Sequence, residues 1–130
     1  MISKSGLHAL KALAVLAELP QGSYAGATAI AKKISAPQNY LGKLLQALSR
    51  EGLLVSQKGL RGGFRLAQDP RKMTLFDVIE PLESVSRWSG CFLGRNSCSS
   101  KAPCAVHLRW KTTRDSYLDF LKQTTIADLL

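Results

Sequence analysis

Apolar residues recur along the chain at two spacings, and each spacing marks a different kind of element. Between Pro37 and Glu51 they fall at Leu41, Leu44, Leu45 and Leu48. This i, i+3, i+4, i+7 pattern is one stripe of a helix. The other side carries Asn39, Tyr40, Lys43, Gln46 and Arg50, all able to bond a base edge or a phosphate. Gly52 stops the helix where a glycine usually does. Two short runs follow at residues 53–57 and 64–67, joined by a tip at residues 58–63 that holds Lys58, Arg61 and three glycines. They predict a small hairpin, with Gly59, Gly62 and Gly63 allowing positive φ or close backbone approach.

Upstream, Leu7, Leu10, Leu13, Ala14 and Ala17 predict a first helix over residues 3–18, ended by Pro20 and Gly22. Residues 25–34 predict a short second helix, with Ile30 and Ile34 inward and Lys32 and Lys33 outward. Pro37 suits the first position of the next helix, where its missing N–H costs nothing. Two short helices followed by a hairpin predict a helix-turn-helix with a wing. Downstream, Thr74 caps a helix running to about residue 84, with Leu75, Val78, Ile79 and Leu82 inward. Pro81 is expected to distort it. Residues 84–103 lose all period and read as a loop. The last helix runs from about residue 105 to 123. On it, Val106, Trp110, Thr113, Tyr117 and Phe120 form a heptad-like seam, and Leu108, Leu118 and Leu121 a second apolar line. Such a helix suits a place between its own domain and a second subunit. The fold class expected is mainly α with a small β-wing: a winged helix-turn-helix plus a long C-terminal dimerisation helix.

Charge sharpens this picture. The net charge of +9 over 130 residues is uneven: residues 1–72 carry +8 and residues 73–130 carry +1. A basic half beside a near-neutral half suggests that the first meets a polyanion. The expected division is a winged helix-turn-helix DNA-binding region at 1–72, a connecting helix and cysteine loop at 73–104, and a dimerisation helix with a C-terminal segment at 105–130. The partner expected is double-stranded DNA, bound by a homodimer. Lys32, Lys33 and Arg50 would hold phosphates, Gln38, Asn39, Tyr40 and Lys43 would face the major groove, and Lys58 and Arg61 the minor groove. The first helix is interrupted by Lys4, His8, Lys11 and Glu18, so it is amphipathic. No membrane or secretory segment is expected, and the expected location is cytoplasmic. No enzyme is indicated: Asp69, Asp77, Glu80 and Glu83 have no paired base, and the last two read as solvated acids.

Three cysteines and a histidine carry the remaining chemistry, in the spacing Cys91-x6-Cys98-x5-Cys104-x2-His107. Three thiolates plus a fourth ligand could hold an iron–sulphur cluster. A Cys3His zinc site and a metal-free thiol switch are the other readings. The gaps fit the usual zinc pairs and the ferredoxin spacings poorly. His107 follows Cys104 by three residues, so one helical face could present both.

These residues resemble the Rrf-two family of bacterial transcription regulators over nearly the whole chain. The resemblance rests on Ala29-Ile-Ala31, Tyr40-Leu-Gly-Lys-Leu-Leu45, Gly52-Leu-Leu-Val55, Lys58-Gly-Leu-Arg-Gly-Gly-Phe64, Thr74-Leu-Phe-Asp-Val-Ile79, the three cysteines and Thr125-Ile-Ala-Asp-Leu129. It implies a homodimer whose long C-terminal helices cross. It also implies an iron–sulphur cluster on Cys91, Cys98 and Cys104, with 2Fe–2S preferred over 4Fe–4S. In the family's cluster-assembly regulators the fourth ligand is a histidine matching His107. In its nitric-oxide sensors it is a carboxylate from the partner's first helix, at a position matching His8. The implied function is a dimeric regulator whose operator affinity follows a cluster that senses iron, redox state or nitric oxide. The alternative is a metal-free thiol-switch or zinc-stabilised winged-helix regulator. The chain departs from the family at the first cysteine gap, one residue longer than in the assembly regulators. It also has Lys58 where arginine is common, and Gly42 where a larger or polar residue is common.

Overall fold

A computed structural model describes residues 2–90, 92, 93 and 106–130. Five helices and one hairpin surround a single buried cluster. Helix α1 (Lys4–Ala17) is its centre and touches α2 (Ala27–Ile34), α3 (Gln38–Arg50) and α4 (Leu75–Glu83). It buries Ala9, Leu10, Ala12, Leu13 and Leu16. The predicted stripe was centred about one residue's rotation away, roughly 100°, so Leu7 is exposed instead. Alanines at 9 and 12 let neighbouring helices approach closely there. Helix α3 buries Leu41, Leu44, Leu45 and Leu48 as its spacing predicts. Full burial of a leucine contributes about 1.5–3 kcal/mol.

The hairpin pairs β1 (Leu54–Gln57) with β2 (Gly63–Leu66) antiparallel, from Leu54 opposite Leu66 to Gln57 opposite Gly63. A third segment joins this pair at one point. Ala25 N donates to Phe64 O at 3.0 Å, and Phe64 N donates to Ala25 O at 2.8 Å. Helix α2 therefore starts at Ala27 and not at Ala25, because the backbone of Ala25 belongs to the sheet. Helix α3 likewise starts at Gln38, with Pro37 as its extended N-cap. Between α2 and α3, Ser35 takes the left-handed conformation at φ 56°.

Thr74 caps α4 as predicted. Asp77 N donates to its Oγ1 at 3.1 Å, and Thr74 N donates to Asp77 Oδ2 at 3.0 Å. The helix runs through Pro81 and stops at Ser84, where φ is 48°. A proline so near the C-terminal end removes one donor without ending the helix. The predicted loop then opens with a 3-10 turn, Val85–Ser89, which buries Val85. Helix α5 (His107–Gln123) lies against α4 and that turn. Its inward residues are His107, Leu118 and Leu121, whereas Leu108 is exposed. Leu108 thus does not continue the line of Leu118 and Leu121. After α5 the chain pairs with the entry to α4: Leu75 N donates to Thr124 O at 2.9 Å, and Ile126 N donates to Met73 O at 2.8 Å. That pairing sets Ile126 fully inside the core. No described helix is long and apolar enough to cross a membrane.

Two acids read as solvated have structural work. Glu83 accepts from Ser3 N at 3.1 and 3.2 Å and from Ser3 Oγ, so the end of α4 holds the start of α1. Glu80 accepts from Ser86 N at 2.8 Å and Ser86 Oγ at 2.5 Å, fixing the turn after α4. At the exposed 3-10 turn Pro70–Lys72, the Asp69 carboxylate accepts from Arg71 Nη2 at 2.8 Å and Arg71 N at 2.9 Å. These bonds hold the Asp69 pKa down at about 2, against an ordinary 3.8. A depressed folded-state pKa contributes stability above the ordinary value, and that contribution is lost as pH falls through about 2. An NMR titration is expected to find the Asp69 midpoint near 2. Arg71→Ala is expected to return it towards the ordinary carboxylate range, and an unchanged midpoint would disprove the pairing.

Candidate nucleic-acid interface and cysteine segment

Helix α3 buries four leucines on one side, so its polar residues must face away from the core. Gln38, Asn39, Lys43 and Arg50 are all exposed, as are Lys32 and Lys33 at the end of α2. Gln38 Nε2 donates to Thr28 Oγ1 at 2.6 Å, which ties the start of α3 to α2. Lys58 and Arg61 are exposed on the hairpin tip, with Leu60 fully exposed between them. Gly62 N donates to Gly59 O at 3.1 Å and closes this tip. A Cβ on Gly62 would lie 2.0 Å from Gln57 O, so only glycine fits there. An open groove of about 650 Å³ runs between α2 and the tip, with Lys33 and Arg61 on its walls and no acidic residue lining it.

Arg65 was passed over in the sequence, although strand alternation turns it outward beside the buried Phe64. It is exposed on β2, and its guanidinium lies 5.1 Å from the centre of the Tyr24 ring. Tyr40 sits differently from its neighbours. It is half-buried, and its hydroxyl is engaged with Ser5 and His8 of α1.

Cys91, Cys98 and Cys104 lie outside the described residues. Gly90, just before Cys91, is described, and α5 holds it. Trp110 Nε1 donates to Gly90 O at 2.9 Å, and Arg114 Nη1 donates to the same oxygen at 3.1 Å. The Phe92 and Trp110 rings meet at 5.3 Å. His107, on the first turn of α5, is 3% exposed. So the residue before Cys91 is held by the first two turns of the helix that begins three residues after Cys104. His8, the other candidate ligand, is 8% exposed on α1. Among the described residues no three His, Cys, Asp or Glu side chains gather as a metal site.

The family described as the iron-dependent transcriptional regulator Rrf2 matches residues 2–130. A protein of Aquifex aeolicus, provisionally named an HTH-type transcriptional regulator, is 40% identical over 95% of this chain and 86% of its own length. Among solved structures, CymR (YrzC), the global cysteine regulator of B. subtilis, superposes with a TM-score of 0.81 at 26% identity, covering 99% of this chain and 95% of its own. T. potens IscR superposes with a TM-score of 0.78 at 26% identity, covering 99% of this chain and 85% of its own. The fold is thus shared with known regulators over nearly the whole chain. The chain belongs to the Rrf2 family: it is a transcriptional regulator on a winged helix-turn-helix frame, not an enzyme.

Proposed function

We propose that this chain binds operator DNA as a homodimer and that an iron–sulphur cluster on Cys91, Cys98 and Cys104 sets its affinity. The observation that carries the reading is that Trp110 and Arg114 hold Gly90, just before Cys91, against α5, the helix that begins three residues after Cys104. Three thiols and one imidazole suit an iron–sulphur cluster by donor chemistry. His107 is preferred as fourth ligand because it is buried on the first turn of α5; His8 from the partner is the alternative. When bound, the cluster supplies a redox-active and nitric-oxide-reactive group. Within the protein, Trp110 and Arg114 tie Gly90 to α5. Cluster gain, loss or oxidation would shift the spacing of the two copies of α3. Affinity changes only by the difference in binding free energy between those states. At the DNA, α3 would present Asn39, Lys43 and Gln38 to the major groove, with Lys58 and Arg61 at the minor groove. Lys32, Lys33 and Arg50 would hold phosphates.

Protein purified without oxygen is expected to be brown, with matched iron and sulphide. Cys91→Ala, Cys98→Ala and Cys104→Ala are each expected to lose the visible absorbance. His107→Ala is expected to perturb the spectrum more than His8→Ala; the reverse order would move the fourth ligand to α1. The close superposition with CymR, a cysteine regulator, favours a second reading, a thiol switch without iron. Colourless protein with reversible thiol oxidation would support it. The DNA half has its own test. Lys58→Ala and Arg61→Ala are each expected to reduce the salt dependence of binding by about one unit of slope. Unchanged slopes would take the hairpin tip out of the interface.

A further inference from the structure

Tyr40 lies in the first turn of α3, among residues predicted to read DNA, yet its hydroxyl is committed elsewhere. It donates to Ser5 Oγ at 3.0 Å and lies 3.3 Å from His8 Nδ1. The His8 and Tyr40 rings meet edge to face, 5.5 Å apart at 67°. A phenol has one proton. Ser5 and His8 can each donate or accept, so the hydroxyl bridges both whichever tautomer the imidazole takes. A hollow of about 350 Å³, walled by Lys4, Ser5, His8, Pro37 and Tyr40, opens at this junction, so the imidazole is both nearly buried and reachable.

We propose that Tyr40 is a positioning residue: its hydroxyl fastens the first turn of α3 to Ser5 and His8 of α1 and so sets how the recognition helix is presented. Rotating the imidazole away releases that turn. The functional consequence rests on the DNA-binding reading above; the anchor itself does not.

The test uses cluster-free protein and the duplex that the wild-type chain enriches from a randomised pool. Tyr40→Phe and His8→Leu are each expected to weaken binding about fivefold, spread over every base pair read by α3. The double variant is expected to bind within about twofold of either single one, because both remove the same link. His8→Asn, whose amide stands near the place of Nδ1 and can donate or accept, is expected to bind like wild type. Amide exchange over residues 41–44 is expected to quicken in Tyr40→Phe and His8→Leu, with the C-terminal turn of α3 unchanged. A loss confined to one base pair, with additive effects and no effect of His8→Leu, would make Tyr40 a base reader and overturn the proposal. If no duplex is enriched, the DNA reading fails; unchanged exchange in both variants would then overturn the anchor by itself.

Discussion

Gly63→Ala is expected to lower the unfolding free energy by about 3 kcal/mol and the melting temperature by about 10 °C. Gly63 stands at φ +138°, a conformation that L side chains rarely adopt. That strain alone costs about 1–3 kcal/mol. A Cβ there would also lie 2.4 Å from Ala25 O, 2.5 Å from Ala25 C and 2.8 Å from Gly26 N. These are backbone atoms, and they cannot swing aside as a side chain can. The Ala25–Phe64 bridge, with its two hydrogen bonds, would have to open. Gly59 is the matched control. Its φ is +109°, but a Cβ there would meet nothing within 4 Å. Gly59→Ala is therefore expected to cost only the conformational part, about 1–2 kcal/mol. Urea unfolding of both variants measures the difference. Equal losses would mean that the close approach at Ala25 costs nothing. Gly63 is also the first residue of β2, directly after the tip carrying Lys58 and Arg61.

What could be read in advance follows the range of the interaction. Helices α3 and α4 were legible because their leucine and valine stripes and the Thr74 cap are local patterns. Ala25 was misread as helical because its pairing partner, Phe64, is distant in the chain. Glu83 looked solvated for the same reason: its donors are on Ser3, at the far end of the sequence. On α1 the period was right and the centre was wrong, since small alanines bury as readily as leucines where helices pack closely. Tyr40 lies beside the polar side of an isolated α3, and only α1 reveals where its hydroxyl goes. The cysteine spacing named a donor set from composition alone. The hold of α5 on the chain before Cys91 runs through the carbonyl of Gly90, a residue with no side chain to signal it.

Phe120→Glu is expected to convert a dimer into a monomer at micromolar concentration. Helix α5 faces its own domain with Leu118 and Leu121, 8% and 0% exposed. About a quarter-turn away lies the seam predicted for a second subunit: Val106 at 36% and Phe120 at 54% exposure, with Thr113, are exposed, whereas its other members Trp110 and Tyr117 are half-buried in the chain's own fold. A helix that fills its own core and still shows an apolar seam has a second surface to cover. In a two-fold dimer each Phe120 is buried by symmetry, so one substitution acts twice. Losing a buried phenylalanine costs about 3–5 kcal/mol, and placing an unpaired carboxylate in the same site adds to that. Even about 3 kcal/mol weakens association more than 100-fold. Phe120→Leu, apolar and smaller, is expected to stay dimeric. Because Phe120 is half-exposed in the single chain, the Glu variant is expected to fold with nearly unchanged circular dichroism. Sedimentation then separates the cases: a folded monomer supports the seam as the interface, and a folded dimer places the interface elsewhere. Operator affinity is expected to fall with dimerisation, since one recognition helix and one hairpin tip remain where two were held at fixed spacing.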